Sequence, residues 1–111
     1  MIPMPEIKTF TFSIEKAEYL LNFKSHPGKG GDKSKFWREI MGFQQPALLR
    51  KTILDKISAQ LLQFQDDNGF GDVYRAIISL VDPAGRERLI RTVWIVLYNE
   101  NVARFVTAYP A

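Results

Sequence analysis

The 111-residue chain contains no cysteine and a single histidine. The first absence excludes disulfides, thiol nucleophiles and most structural zinc sites, and the second excludes any multi-histidine metal centre. No apolar run approaches the roughly 20 residues of a membrane span. The N-terminus lacks the basic-then-apolar pattern of a secretory leader. The expectation is therefore a cytoplasmic protein with no membrane segment, no metal and no cofactor. Internal repeats, low-complexity tracts and linkers are missing too. What remains is an ordinary globular composition, 46% hydrophobic and 24% charged, of a size that supports one core. Residues 1–111 read as one domain, with residues 1–6 as a loose tail.

The net charge of +3 is unevenly spread. Residues 1–60 carry +4 and residues 61–111 carry −1. Every lysine lies in the first half, and the basic residues of the second half are all arginines: Arg75, Arg86, Arg88, Arg91 and Arg104. Between Lys24 and Arg38, the cations Lys24, Lys29, Lys33, Lys35 and Arg38 face only Asp32, with His26 among them. Such a stretch is either a solvated loop running into an exposed helix or an anion site.

Local signals divide the chain into helices followed by strands. Ile7–Phe12 alternates as a short edge strand does. Ser13 is a good N-cap for a helix whose apolar residues Ile14, Ala17, Leu20 and Leu21 recur at helical spacing. After the glycine-rich loop 25–31, Asp32 can cap a second helix with Phe36, Trp37, Ile40 and Met41 as its buried stripe, ended by Gly42. Pro46 suits the first turn of a third helix that turns Leu49, Ile53 and Ile57 inward. Four β-rich stretches follow, Leu61–Gln65, Val73–Val81, Arg88–Tyr98 and Val102–Tyr109, separated by the turn-formers Asp66–Gly69, Asp82–Gly85 and Asn99–Asn101. The expected class is α+β: two or three N-terminal helices packed on a four-stranded antiparallel β-meander.

Centring the last hairpin on Asn99–Asn101 sets Ile95 opposite Phe105, Val93 opposite Thr107 and Arg91 opposite Tyr109. Alternation then groups Leu89, Arg91, Val93, Ile95 and Leu97 with Ala103, Phe105, Thr107 and Tyr109. The polar members Arg91, Thr107 and Tyr109 gather at one end. The other face, with Ile90, Thr92, Trp94, Val96 and Tyr98, is very apolar for a solvent face. The segment Ile7–Phe12 or a second subunit would account for that.

Several stretches carry a resemblance. Tyr19-Leu20-Leu21-Asn22, His26-Pro27, the Gly28–Gly31 cluster, Lys33-Ser34-Lys35-Phe36, Ile90-Arg91-Thr92-Val93-Trp94 and the ending Val106-Thr107-Ala108-Tyr109-Pro110 together look like a bacterial family known only as a domain of unknown function. It is found as small stand-alone proteins and as the last domain of larger toxin-like proteins, and the resemblance implies no established activity. More distantly, helices followed by a meander with Arg, Thr and Tyr on its closing strands resemble the barnase–RelE group of metal-independent ribonucleases. That likeness is architectural, and fold does not imply function.

It nevertheless specifies a chemistry against which residues can be matched. Metal-free RNA cleavage needs a proton carrier near neutral pH, for which His26 is the only imidazole. It also needs fixed cations and donors where charge builds up on the phosphorane. Arg91 offers a bidentate fork, Thr107 and Tyr109 offer hydroxyls, and Lys29, Lys33 and Lys35 offer point charges for phosphate binding. Each residue also has a plainer role. His26 can anchor its loop, Arg91 can pair with Glu87, and Trp37 and Trp94 can be core. Two functions stand side by side: a toxin-like ribonuclease binding RNA, and a non-catalytic interaction module, homodimeric through the Trp94 face.

Overall fold

The computed structural model describes residues 7–21 and 34–111. The loop 25–31, the Asp32 cap and residues 1–6 lie outside the described residues. Among those described, the chain runs β1 (Thr9–Thr11), α1 (Ile14–Leu21), one wide π turn (Phe36–Ile40), α2 (Pro46–Lys56), a short 3-10 turn (Ala59–Leu61), then β2 (Gln63–Asp67), β3 (Gly71–Val81), β4 (Glu87–Leu97) and β5 (Val102–Pro110). The five strands form one mixed sheet in the order β1-β5-β4-β3-β2. The four expected strands make an antiparallel meander, and β1 adds a fifth by pairing parallel to β5. The α+β class stands, and the four-stranded antiparallel description is corrected by that edge strand.

Local chemistry sets the helix boundaries. The Ser13 Oγ accepts the Lys16 N–H at 3.3 Å and its carbonyl accepts the Ala17 N–H at 3.2 Å, so α1 starts where a capping residue permits it. Pro46 occupies the first turn of α2, where its missing N–H costs nothing. The π turn closes with the Met41 N–H donating to the Phe36 carbonyl at 2.9 Å, a five-residue span. That extra residue per turn keeps Phe36, Trp37 and Met41 inward and leaves Ile40 at the surface, against the expected stripe. Gly42 then takes a left-handed conformation at φ 74°, which ends the turn as expected.

The described helices cover one face of the sheet. Ala17, Leu20 and Leu21 of α1, Trp37 of the π turn, and Leu49 and Ile53 of α2 pack with Tyr74, Ala76, Ile78 and Leu80 of β3, Ile90, Trp94 and Val96 of β4, and Ala103, Phe105 and Ala108 of β5. Trp94 has no exposed surface. Phe10 meets it edge-on at 5.3 Å between ring centroids, and Phe12 stacks on Phe105 at 3.8 Å. The β1 segment thus does cover part of the Trp94 face, together with the helices. The polar atoms of these core side chains are matched: the Trp94 Nε1–H donates to Thr92 Oγ1 at 2.8 Å, the Thr92 hydroxyl donates to the Ala76 carbonyl at 2.7 Å, and the Trp37 Nε1–H donates to the Ala108 carbonyl at 3.3 Å. The side chain of Arg50 on α2 donates to the Phe12 carbonyl, tying the helical layer to the end of β1.

Two expectations are overturned here. The face bearing Ile90, Thr92, Trp94 and Val96 is the core and not a solvent face, so a homodimer through the Trp94 face is removed: no atom of Trp94 is available to a second subunit. The β4–β5 register is also broken. Arg91 pairs with Tyr109 and Val93 with Thr107 as expected, but Trp94 pairs with Phe105 and Ile95 with Arg104. Val106 is the extra residue of a bulge, which turns Phe105 into the core while Thr107 and Tyr109 stay on the other face.

The β3–β4 connection is a reverse turn, as expected. The Gly85 N–H donates to the Asp82 carbonyl at 2.9 Å with Gly85 at φ 84°. The buried Asp82 carboxylate accepts the Ala84 and Arg86 N–H groups and the Arg88 Nε–H, each at 2.9 Å. The Arg86 N–H and the Arg88 side chain, against an opposing desolvation cost, hold this carboxyl below its ordinary range.

Two outcomes follow. Trp94→Ala is expected to cost about 3–5 kcal/mol in urea unfolding, whereas an exposed aromatic would cost within about 0.5 kcal/mol. Because folding lowers the Asp82 pKa, its contribution is complete above the unfolded carboxylate value near 4 and fades as pH falls through the folded value. Asp82→Asn should therefore lower Tm at neutral pH, with the difference from wild type shrinking below about pH 4 in parallel thermal melts.

Candidate anion-binding face

With the helices on one side, the other side of β2–β5 is a face on which no described element packs. Alternation and register place its side chains. One row across the strands is Gln63, Arg75, Val93 and Thr107, and the next is Ile77, Arg91 and Tyr109. Toward the β4–β5 turn the same face carries Val73, Ile95 and Arg104, and at its far end Ser79 beside Leu89 and Val81 beside Glu87. The central side chains Val73, Arg75, Ile77, Arg91, Val93, Thr107 and Tyr109 are half-buried. This is an apolar floor with cations and hydroxyls set into it.

Of the sequence-predicted site residues, the fold brings Arg91, Thr107 and Tyr109 together. Arg91 lies directly opposite Tyr109, with its guanidinium carbon 5.7 Å from the centre of the tyrosine ring, within cation–π range. Thr107 stands one row away, opposite Val93. Lys35 is exposed in the helical layer, just before the π turn whose Trp37 packs on the covered side, and is not part of this face. His26, Lys29 and Lys33 lie outside the described residues.

The expected Arg91–Glu87 pair does not form. The ion pairs among the described residues are Lys51–Asp55, Arg88–Asp82 and Arg104–Glu100. The Arg91 Nε is buried and has no hydrogen-bond partner among the described residues, and the same is true of the Arg75 Nε. Arg75 is the residue that sequence reading passed over. Its Nη2 donates to Gln63 Oε1 at 3.2 Å, which braces the fork from β2. The signal that finds it is the β3–β4 register: Arg75 faces Val93 and Ile77 faces Arg91, so the two arginines are diagonal neighbours. Neither of the two rows contains a carboxylate. Asp66 and Glu87, the acidic residues of this face on β2 and β4, belong to other rows. No group of three or more His, Cys, Asp or Glu suited to a metal ion exists among the described residues, and none of their helices is long and apolar enough to cross a membrane.

The groups with perturbed titration lie elsewhere. At the β2–β3 hairpin the Tyr98 hydroxyl donates to Asp67, a contact that pushes Tyr98 up to about 12 and draws Asp67 down, helped by the Gly69 N–H. Burial, with the charge of Asp72, raises Tyr74. These are contacts that close a hairpin and a core. Two guanidinium groups on an apolar floor, each with a buried N–H lacking a partner, form instead an arrangement that a bidentate anion would complete.

The chain belongs to the family described as Domain of unknown function (DUF6883), whose pattern matches residues 4–111. No curated protein matches it. Among solved structures it is similar to a chain of the contact-dependent growth inhibition toxin–immunity protein complex from Klebsiella pneumoniae 342, with a TM-score of 0.66 and 15% identity over 89% of this chain and 91% of that one. At that identity the likeness is one of fold.

If Arg91 serves a ligand and not the fold, replacing it should not weaken the protein. Arg91→Leu is expected to leave unfolding free energy within about 0.5 kcal/mol of wild type, or to raise it, as polar groups kept for function commonly do. A loss above about 1 kcal/mol in urea titration would make Arg91 a structural residue.

Proposed function

We propose that this domain is a toxin-like ribonuclease that works on the open face of its sheet and uses the RNA's own 2′-hydroxyl as nucleophile. The observation that carries the reading is Arg91, a guanidinium seated over Tyr109, with a buried unpaired Nε and no ion pair to a described residue. The shared fold with a chain of a toxin–immunity complex supports the toxin-like part.

In this mechanism the 2′-oxygen attacks the adjacent phosphorus and the bond from phosphorus to the 5′-oxygen breaks. The products are a 2′,3′-cyclic phosphate and a 5′-hydroxyl end. His26 takes the proton from the 2′-hydroxyl and returns one to the leaving oxygen. Arg91 holds two phosphate oxygens with its fork, and the hydroxyls of Thr107 and Tyr109 donate to the charge that grows on them. Lys29 and Lys33 add positive charge. Lys35, in the helical layer, would serve only a longer substrate that reaches around the sheet.

The non-catalytic alternative draws on the same face. Ile77, Val93, Ile95 and Leu97 form an apolar stripe, with Leu89 52% exposed beside it, which a protein partner would cover.

One assay separates the two readings. Wild type, Arg91→Ala and His26→Ala are incubated with single-stranded and structured RNA in EDTA. The expected result is cleavage by wild type to cyclic-phosphate ends, slower by about 10²–10³ in Arg91→Ala and about 10²–10⁴ in His26→Ala. RNA left intact by stoichiometric wild-type protein would leave the interaction module standing.

A further inference from the structure

Resting on that reading of the face, we infer that Arg75 forms a second phosphate subsite beside Arg91, so that the ligand is a single-stranded polynucleotide laid across the strands and engaged at two phosphates, not a mononucleotide.

The two guanidinium groups arise from adjacent strands and point to the same side of the sheet. As diagonal partners their Cα atoms are about 7–8 Å apart, with Val93 and Ile77 completing the rectangle. Both Nε atoms are buried and unpaired among the described residues, so each fork is held low on the apolar floor with a donor that no described residue uses. Gln63 takes up one amino group of Arg75 from the far side, which fixes the plane of the fork and leaves its other donors for a ligand. Two like charges set close together with no carboxylate in either row repel each other, and a ligand whose own negative charges repeat relieves that repulsion at both positions. A polynucleotide meets each fork with a phosphate of its own, which a mononucleotide with one phosphate does not.

The direction of the strand follows from the rows. Gln63, Arg75 and Thr107 lie in one line perpendicular to the strands, and from β2 to β5 that line spans about 14 Å. A polynucleotide backbone along it meets Arg75 on β3 and Thr107 on β5, with the Arg91–Tyr109 pair of β4 and β5 in the adjoining row. Arg75 is thus assigned to substrate positioning, beyond the reacting phosphate. Tyr109, backed by the Arg91 cation, offers a ring face on which a base can stack.

The test uses a 2′-O-methyl RNA oligomer of about ten nucleotides, which binds but lacks the hydroxyl that would cleave it. Binding to full-length wild type, Arg75→Met, Arg75→Lys and Arg91→Met is followed by fluorescence anisotropy between about 50 and 200 mM salt, alongside inorganic phosphate as a competitor. In Arg75→Met the slope of log K against log salt should become shallower by about 0.7, the value for one lost phosphate contact on a single strand. Arg75→Lys should restore the slope, and competition by inorganic phosphate at the Arg91 position should be unchanged in Arg75→Met. With cleavable RNA, Arg75→Met should raise KM several-fold with kcat nearly unchanged. An Arg75→Met slope equal to that of wild type, with Arg91→Met impaired, overturns the second subsite while leaving the ribonuclease reading intact. A shallower slope in a protein that cleaves no RNA supports the strand-binding face and overturns the ribonuclease reading alone.

Discussion

The pair Trp94–Thr92 fixes which side of the sheet is inside. Trp94 is the largest apolar body on β4, and its indole N–H needs a partner if the ring is to be fully buried. Thr92, two residues earlier on the same face, supplies the acceptor and donates its own hydroxyl in a hydrogen bond to the Ala76 carbonyl on β3. That chain satisfies every polar atom involved and binds two strands without a charge. Once this face of β4 is committed to α1, the π turn and α2, the alternate residues of the same strands must face away. Arginine is tolerable at positions 75 and 91 because those positions look away from the described helical layer.

A sheet whose described helices all lie on one side separates the demands of folding from those of binding. The core draws on Trp37, Leu49, Ile53, Ile90, Trp94 and Phe105, none of which reaches the open face. The open face holds Arg75, Arg91, Thr107 and Tyr109, whose side chains contribute little to the core. Substitutions on one side can accumulate with small effect on the other, which fits a fold shared at 15% identity with a chain of a toxin–immunity complex. A scaffold preserved at such distance says little about chemistry, and the case for RNA rests on the side chains of the open face.

Local features were legible in the sequence because local chemistry determines them. Ser13 as a cap, Gly42 as a stop, Pro46 in a first turn and the Asp82–Gly85 reversal each depend on a few neighbouring residues, and each stands where the chain indicates it. The choice of covered face was not legible, because both faces of β4 are apolar: Leu89, Val93, Ile95 and Leu97 on one side rival Ile90, Trp94 and Val96 on the other, and period-two alternation has no preference between them. Nor was the partner of β1, since a parallel pairing of Thr9–Thr11 with Val102–Arg104 joins the two ends of the chain and leaves no local mark. Ile40 misled because a π turn shifts the helical period by one residue. Of the site, the Arg91–Tyr109 pair came from hairpin register alone, while Arg75 stayed hidden because its position relative to Arg91 depends on a second hairpin.

The bulge at Val106 has a consequence for how relatives of this chain should be compared. Because one residue is looped out between Phe105 and Thr107, its removal would straighten β5 without turning either neighbour over: the phenylalanine would still enter the core and the threonine would still look to solvent. Position 106 is thus a place where the polypeptide can lose a unit of length without exchanging its two surfaces. An alignment of family members should place a one-residue gap there before disturbing the pairing on either side.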